Sequence, residues 1–475
     1  MLFNTLQFAV FLAVIVILVI LFRKQKLQLS ILLVASYYFY YISSGFFFLL
    51  LLFSSLLDFF FGRKIYESKT PQKKKFFLVL SLTGSLGILA YFKYADFAIQ
   101  VANQIRNLFG ISPDLQLLHI LLPVGISFFT FQTMSYTIDI YRNKLKPTSS
   151  FLKFMLFIAF FPQLVAGPIV RASEFIPQLV KRIEVKAENV KLGLTFISWG
   201  IVKKVVFADN ISPFVDHIFS DPIGLGSIPI ILGALAFGIQ IYCDFSAYTD
   251  IAIGAARIFG FTFPQNFNKP FFATSPANFW KRWHITLSTW LRDYLYIPLG
   301  GNRKGKARTY INIMITMLLG GLWHGASWNF VIWGGFHGIL LAIHRFTAKI
   351  VFFKERLNPY IGRIAAVLVT QYFVFLSWLI FRVRNTEYLL YSMRKYVVLD
   401  LRWSELSQYL FEYTWVFVLI GLFIYIHFLS YKVKDIIQRI NSLRLGYWFL
   451  YITFTIVLLF LFAPSLNTSF IYFQF

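Results

Sequence analysis

The sequence predicts an all-α polytopic membrane protein. Its 475 residues are 58% hydrophobic and 20% aromatic, and 58 of them are phenylalanine. Soluble globular domains average about 45–50% apolar residues, so this composition argues against an ordinary soluble enzyme. The apolar stretches are continuous rather than alternating, which indicates helices and not the strands of an outer-membrane barrel. No polar linker divides the chain, and we expect a single membrane domain over residues 1–475.

Continuous apolar runs mark the predicted helices. In chain order they are 5–22, 27–43, 45–61, 76–92, 119–138, 151–166, 226–243, 310–323, 328–343, 364–381, 413–430 and 446–463. A full crossing of about 30 Å of hydrocarbon needs roughly 20 residues, so we expect the shorter runs to be tilted, re-entrant or buried. The first run lacks the basic start and the small-residue cleavage site of a signal peptide, and we interpret it as a first helix.

Basic residues concentrate in the short segments between the apolar runs. The formal net charge is +25, and the segment 63–75 (RKIYESKTPQKKK) alone holds six basic residues and one acidic residue. This placement is typical of cytoplasmic loops and of contact with anionic membrane lipid, and we expect no nucleic-acid partner. With these loops in the cytoplasm, both chain termini are predicted to be extracytoplasmic.

The segment GLWHGASWNF (321–330) carries a histidine through one of the most apolar regions of the chain. As a helix, the run 310–323 is about 21 Å long, which is less than the thickness of the membrane. The sequence therefore predicts a helical hairpin that turns at WHGASW. Irregular backbone at membrane depth is tolerated only where it is buried in protein or lines a cavity, so His324 is predicted to lie on a cavity wall.

Two segments, 242–261 and 275–303, hold further ionisable residues in apolar surroundings. They carry Asp244, Asp250, Arg282, His284, Arg292 and Asp293. Ionisable residues in membrane segments are functional candidates with a nearby partner. The competing interpretation is structural, for example an ion pair between Asp293 and Arg292, and we favour it for the three aspartates.

His324 and His284 are the candidate catalytic groups, because imidazole is the commonest general base near neutral pH. A buried histidine that only makes hydrogen bonds is the structural alternative. The sequence has no HExxH or CxxC spacing, so we expect no metal site. It also lacks the GxSxG, phosphate-loop and dinucleotide-binding motifs. The residues alone therefore leave catalysis and transport open.

Three stretches, 244–271, 279–303 and 318–338, resemble the membrane-bound O-acyltransferase family. The likeness is to its bacterial branch, which includes alginate O-acetylation and teichoic acid D-alanylation proteins. The segments LLPVGISFFTFQTMSYTIDIYR (121–142) and FIAFFPQLVAGPIVRASEFIPQL (157–179) fit the same branch. The resemblance covers essentially the whole chain, and its most specific part, residues 121–344, is the expected catalytic core.

The resemblance implies a ring of about 10–12 transmembrane helices, with short re-entrant or interfacial helices, around a thinned central cavity. An acyl thioester would enter from the cytoplasm, and the acceptor would be reached from outside. His324 matches the central essential histidine of the family, and His284 matches the second. His337 also fits the branch, with packing as its expected role. The other residues expected to bind substrate or line the site are Arg282, Trp283, Trp323, Asp244, Asp293 and Asn329.

The ending FIYFQF (470–475) belongs to an expected extracytoplasmic tail, residues 464–475. Aromatic residues at a membrane edge are often interfacial anchors. However, Phe470, Tyr472 and Phe475 resemble the FxYxxF tail of the bacterial branch, whose tyrosine is proposed to hold the acyl group in transit. A phenol has a pKa near 10, so its ester is a better acyl donor than a sugar ester. Tyr472 is the expected acyl relay, with His324 removing the phenolic proton.

The resemblance implies an O-acetyltransferase of the bacterial inner membrane that acts on an exported cell-envelope polysaccharide. Acetyl-CoA is the expected donor substrate, and no bound cofactor is expected. An extracytoplasmic acetyltransferase of the SGNH type, or another polysaccharide-modification protein, would complete the transfer. Two alternatives stay open. One is D-alanyl transfer from a carrier-protein thioester, and the other is a lipid or polysaccharide transporter that uses Asp244, Asp250, Asp293 and Arg282 as its path.

Overall fold

The computed structural model describes residues 1, 3–347, 359–433, 435–463 and 470–471. All regular secondary structure within these ranges is helical, with no strand. The prediction of an all-α protein is therefore confirmed. The chain forms two compact units, one built from Met1–Leu194 and Ile251–Pro264, the other from Thr195–Asp250 and Gln265–Phe475.

The first part of the chain alternates long apolar helices with short connections. Its helices are α1 Leu6–Leu21, α2 Gln25–Ser44, α3 Phe48–Glu67, α4 Pro71–Leu89, α5 Ala95–Leu108, α6 Ile126–Tyr141, α7 Phe151–Ala159, α8 Phe161–Leu164, α9 Ala172–Phe175 and α10 Ala187–Val202. Two predicted runs differ from the structure. The run 119–138 becomes helical only at Ile126, after Pro123 and a left-handed Gly125. The run 151–166 is divided at Phe160, because Pro162 begins a new turn rather than continuing α7.

The second part of the chain contains the histidine-bearing segments. Its helices are α11 Asp209–Ser220, α12 Ser227–Ile258, α13 Pro276–Trp280, α14 Ile285–Leu291, α15 Lys306–His324, α16 Trp328–Thr347, α17 Pro359–Arg382, α18 Thr386–Val397, α19 Trp403–Glu412, α20 Thr414–Lys432, α21 Ile436–Asn441 and α22 Leu445–Leu461. Short π-helical turns at Lys203–Ala208 and Arg292–Tyr296 follow α10 and α14.

Several of these helices are long and apolar enough to cross a membrane. Among the described residues there are six such segments: Gln25–Glu67, Pro71–Leu108, Ser227–Ile258, Trp328–Thr347, Tyr360–Arg382 and Thr414–Lys432. Two shorter apolar helices, Leu6–Leu21 and Leu445–Leu461, accompany them. The chain is a polytopic membrane protein, as predicted from the apolar runs.

The predicted hairpin around His324 is present. Helix α15 ends at His324, helix α16 begins at Trp328, and three residues connect them. The two helices pack closely because glycines face each other at their contact. A Cβ on Gly321 would lie 2.9 Å from the Cα of Gly334 and would overlap the carbonyl oxygen of Phe330. Small residues at such contacts let two helix backbones approach each other.

Candidate active site

His324 lies at the end of α15 inside a shell of aromatic rings. Its side chain is buried, with only 5% of the residue exposed. Its ring centroid lies 5.1 Å from those of Trp323 and Trp333, and 5.6 Å from that of Phe381. In such apolar surroundings, hydrogen bonds and charges act more strongly than they do in water. The prediction that His324 lies on a cavity wall stays a prediction.

His284 lies near His324, and its backbone is unusual. The residue is fully buried, and its φ of 43° and ψ of 55° place it in the left-handed region, immediately before α14. A non-glycine residue in that region costs about 1–2 kcal/mol, and such strain is concentrated at functional sites. The ring centroids of His284 and His324 are 6.4 Å apart.

A hydrogen bond fixes the orientation of the His284 ring. Its Nδ1 accepts a hydrogen bond from the backbone N–H of Leu287 at 3.3 Å. Because a ring nitrogen that accepts a hydrogen bond cannot carry the proton, the neutral ring carries its proton on Nε2. His284 therefore offers a hydrogen-bond donor at Nε2.

Asn266 braces the strained turn at His284. Its backbone carbonyl accepts the N–H of Ile285 at 2.9 Å, and its side-chain Oδ1 accepts the N–H and the hydroxyl of Thr286 at 3.2 and 3.0 Å. Asn266 itself is buried. Sequence reasoning missed this residue, although it lies in one of the stretches that carry the family resemblance. Its partner is 20 residues further along the chain, and no local pattern connects the two.

The start of the ending FIYFQF is bound to α12. The ring of Phe470 stacks on that of Tyr248, with centroids 4.5 Å apart, and the backbone N–H of Ile471 donates to Oδ2 of Asp244 at 2.6 Å. Both Phe470 and Ile471 are buried. Tyr472 and Phe475, the other predicted tail residues, lie outside the described residues.

Phe245 connects the bound tail with the histidines. Its ring centroid is 5.9 Å from that of Phe470 and 4.7 Å from that of His284. One aromatic ring therefore separates the last described residues of the chain from the first of the two histidines. The structure brings together His284, His324, Asp244 and Phe470, which sequence analysis had selected from distant segments.

Two buried lysines neutralise the aspartates of α12. Lys204 pairs with Asp244 at 2.7 Å and with Asp209 at 2.8 Å, and Lys203 pairs with Asp250 at 2.7 Å. Sequence analysis missed both lysines, although an adjacent pair within the apolar stretch IVKKVVF was a usable signal. An isolated buried charge is costly and a buried ion pair compensates for it, so these residues are structural partners.

Other predicted site residues hold neighbouring segments together. Arg282 donates through Nε to Oδ1 of Asn278 at 3.0 Å and through a terminal nitrogen to the carbonyl of Asn268 at 3.1 Å. Asp293 accepts two hydrogen bonds from the adjacent Arg292, at 2.7 and 3.1 Å, as the structural interpretation expected. The contacts of Arg282 connect the segments before His284, whereas the pair of Arg292 and Asp293 is local.

The remaining aromatic and polar candidates lie in the packed interior. Trp283 is buried and stacks on Phe279, while the ring of Trp323 lies beside both histidines, 5.8 Å from His284 and 5.1 Å from His324. The side-chain amide of Asn329 donates to two carbonyls at the end of α17, at 3.2 and 2.7 Å. Trp323 therefore contacts both imidazoles.

His337 makes contacts of a packing residue. Its Nε2 lies 3.1 Å from the hydroxyl oxygen of Ser377, and its ring lies parallel to that of Phe279 at a centroid distance of 6.1 Å. These contacts connect α16 with α13 and α17. Among the described residues, no group of three or more histidine, cysteine or acidic side chains is placed to hold a metal ion.

The fold and the site define a polytopic membrane protein with a buried histidine pair next to a bound C-terminal segment. The chain belongs to the membrane-bound O-acyltransferase family, which it matches over residues 3–390. It is 44% identical over 318 residues to the probable alginate O-acetylase of Azotobacter vinelandii, covering 66% of this chain and 62% of that protein.

Two further relatives are named for other polymers of the cell envelope. The chain is 39% identical to the peptidoglycan O-acetyltransferase of Helicobacter pylori, over 68% of this chain and 65% of that protein. It is 30% identical to the teichoic acid D-alanyltransferase of Streptococcus thermophilus, over 46% of this chain and 56% of that protein. The chain thus spans less than two thirds of the length of these curated relatives.

Proposed function

We propose that this chain is an O-acetyltransferase of the bacterial inner membrane that serves the O-acetylation of an exported cell-envelope polysaccharide. His324 is the general base, His284 positions and polarises the reacting group, and Tyr472 relays the acetyl group. The observation that carries this proposal is the docking of Phe470 and Ile471 one aromatic ring away from the histidine pair. Tyr472 follows Ile471 directly in the sequence.

The relay consists of two balanced acyl transfers. In the first, the phenolic oxygen of Tyr472 attacks the thioester carbonyl of acetyl-CoA while His324 accepts the phenolic proton. The carbon–sulfur bond breaks, and the thiolate of CoA takes up that proton. In the second, a hydroxyl group attacks the tyrosyl acetate, and its proton returns to the departing phenolate. Dividing one transfer into two steps is covalent catalysis assisted by a general base.

The two transfers take place from opposite sides of the membrane in this proposal. Acetyl-CoA reaches the core, residues 121–344, from the cytoplasm, and the termini with the tail 464–475 lie outside. From Pro464 to Tyr472, a fully extended chain reaches at most about 26–29 Å, so a tail that starts outside can reach mid-membrane. An extracytoplasmic acetyltransferase of the SGNH type then carries the acetyl group to the polymer.

The relatives favour acetyl over D-alanyl transfer. The two relatives named for O-acetylation are 44% and 39% identical to this chain over their aligned residues, and the D-alanyltransferase is 30% identical. D-alanyl transfer from a carrier-protein thioester is therefore the second candidate, because it would use the same histidines and tail.

The ion pairs of the site argue against the alternative that this chain is a transporter. That alternative requires Asp244, Asp250, Asp293 and Arg282 to face a substrate path. Instead, Asp244 and Asp250 pair with buried lysines, and Asp293 pairs with its own neighbour. Carboxylates neutralised within the protein are poor candidates for binding a moving substrate.

A complementation experiment tests the enzyme class. Cells that lack this protein would receive the wild type or His324→Ala, and both the amount and the acetyl content of the exported polysaccharide would be measured. We expect His324→Ala to restore the amount of polymer without its acetyl groups. Loss of polymer export in the uncomplemented cells would contradict the acyltransferase and support a transporter.

A further inference from the structure

We propose that the carboxylate of Asp244, held in place by Lys204, is the anchor that positions the C-terminal tail at the histidine pair. This inference rests on the proposed function, since it gives the relay residue Tyr472 its place in the reaction. Asp244 is then a positioning residue. It acts on the chain immediately before Tyr472 rather than on the acetyl group.

The contact between Asp244 and the tail is made to backbone. The N–H of Ile471 donates to Oδ2 of Asp244 at 2.6 Å, across 227 positions of sequence. A hydrogen bond to an ionised carboxylate is shorter and stronger than one between neutral groups. Because the donor is a main-chain group, the bond fixes the path of the tail itself and not only one of its side chains.

Lys204 sets the orientation of this carboxylate. Its Nζ lies 2.7 Å from Oδ1 of Asp244, the oxygen that the tail does not use. The same Nζ lies 2.8 Å from Oδ1 of Asp209, so one lysine ties α12 to the start of α11. The Lys204 and Asp244 side chains are only 7% and 4% exposed. The ion pair thereby keeps a buried carboxylate oxygen directed at the tail.

Phe470 adds a second point of attachment. Its ring stacks on that of Tyr248, four residues after Asp244 on α12, so both contacts come from the same region of that helix. Consecutive Cα atoms are about 3.8 Å apart. Holding Phe470 and Ile471 therefore limits the positions that the next residue, Tyr472, can take.

The ion pair of Lys203 with Asp250 provides a matched control. It has the same 2.7 Å separation, lies on the same two segments of chain, and its carboxylate is also largely buried. In Asp244→Ala, Lys204 keeps Asp209 as its partner. In Asp250→Ala, Lys203 keeps the hydroxyl of Ser246 at 2.8 Å. Both variants remove a carboxylate from α12, and only Asp244→Ala removes the hydrogen-bond acceptor for the tail.

The test is digestion of the purified, folded full-length chain with a carboxypeptidase. Intact-protein mass spectrometry then identifies the last residue that survives, which is the end point of trimming. In the wild type we expect Ile471 and the residues before it to survive digestion, because the main chain of Ile471 is bound in a buried site. In Asp244→Ala, trimming should continue through Phe470 towards Pro464. Asp250→Ala should give the wild-type end point.

A second pair of variants tests the same hydrogen bond without altering the buried charges. Ile471→Pro removes the backbone N–H that Asp244 accepts, whereas Ile471→Val keeps it. With carboxypeptidase Y, which also releases proline, we expect Ile471→Pro to be trimmed like Asp244→Ala, and Ile471→Val to be trimmed like the wild type. Combining Asp244→Ala with Ile471→Pro should add nothing further, since both remove one bond. An unchanged end point in Ile471→Pro would overturn the proposal, even if Asp244→Ala failed to fold.

Labelled acetyl-CoA separates the failure of the anchor from the failure of the relay. At saturating donor, Asp244→Ala should load Tyr472 more slowly, with the donor concentration for half-maximal loading unchanged. If Tyr472 never carries acetyl but Asp244→Ala still changes the end point of trimming, the role of Asp244 as anchor is supported and the role of Tyr472 as relay is contradicted. If Asp244→Ala loads acetyl onto Tyr472 at the wild-type rate and its tail is trimmed to the wild-type end point, the relay is supported and the anchor is contradicted.

Discussion

The imidazole ring of His284 lies 6.4 Å from that of His324, and the two residues are held there by independent structures. His284 occupies a left-handed turn braced by Asn266. His324 ends a helix that is packed against the next one through glycines. Each support can therefore be weakened separately, and each change has its own expected effect on acetyl transfer.

The same substitution at two buried histidines separates chemistry from packing. We expect His324→Phe to lower the rate of acetyl transfer by about 100-fold or more, since it removes the general base. His337→Phe keeps an aromatic ring and loses the contact with Ser377, which is worth about 1 kcal/mol. It should leave the rate near that of the wild type and slightly lower the melting temperature. Near wild-type transfer by a folded His324→Phe sample would contradict the role of His324 as general base.

Removing the brace of His284 should reduce activity while the protein stays folded. Asn266→Ala loses the side-chain oxygen that accepts two hydrogen bonds from Thr286. A misplacement of about 1 Å in an active site can cost about 100-fold in rate, and we expect a loss of that order in single-turnover transfer from acetyl-CoA.

Asn268 offers the control for this prediction. It lies two residues further on, is exposed, and contacts Arg282 through its backbone groups. Asn268→Ala should therefore retain wild-type transfer. If the two alanine variants behave alike, the turn at His284 does not depend on the amide of Asn266.

The hairpin that ends at His324 should be sensitive to one methyl group at the helix contact. A Cβ on Gly334 would overlap the carbonyl oxygen of Met317 and lie 3.1 Å from the Cα of Gly321. Both are backbone atoms, so the helices must separate. We expect Gly334→Ala to destabilise the fold by about 1–3 kcal/mol, measured as a lower melting temperature in detergent, and to reduce activity.

Gly335 is the neighbouring control on the same helix. Its added Cβ would meet only the Cδ2 of Leu318, at an ordinary distance of 3.4 Å. Gly335→Ala should therefore melt near the wild-type temperature. A similar loss of stability in both variants would mean that alanine is unfavourable along the whole helix, and not only at the contact with α15.

The sequence was most informative where structure follows from continuous hydrophobicity. Most apolar runs coincide with helices, and the turn at WHGASW lies where the length of the run 310–323 required it. Helices such as α5 and α18 were missed, because their apolar residues occupy one face and form no continuous run. Continuous hydrophobicity detects spanning helices and not amphipathic ones.

The site could be predicted only in part, for a physical reason. The histidines and the tail were selected by residue type and by family resemblance. The groups that hold them, Asn266 and Lys204, act through Thr286 and Asp244, partners distant in sequence, and the bond from Ile471 to Asp244 spans 227 positions. Such pairings depend on how the helices pack, and nothing in the local sequence specifies them.

Acetylation of the chain itself is the most direct test of the relay. Purified protein would be incubated with isotopically labelled acetyl-CoA, alongside Tyr472→Phe and His324→Ala, and analysed by intact-protein and peptide mass spectrometry. If Tyr472 carries the acetyl group, the C-terminal peptide of the wild type gains the label and neither variant does. If no residue is ever labelled, and Tyr472→Phe still acetylates the acceptor, transfer is direct and the tail is not a relay.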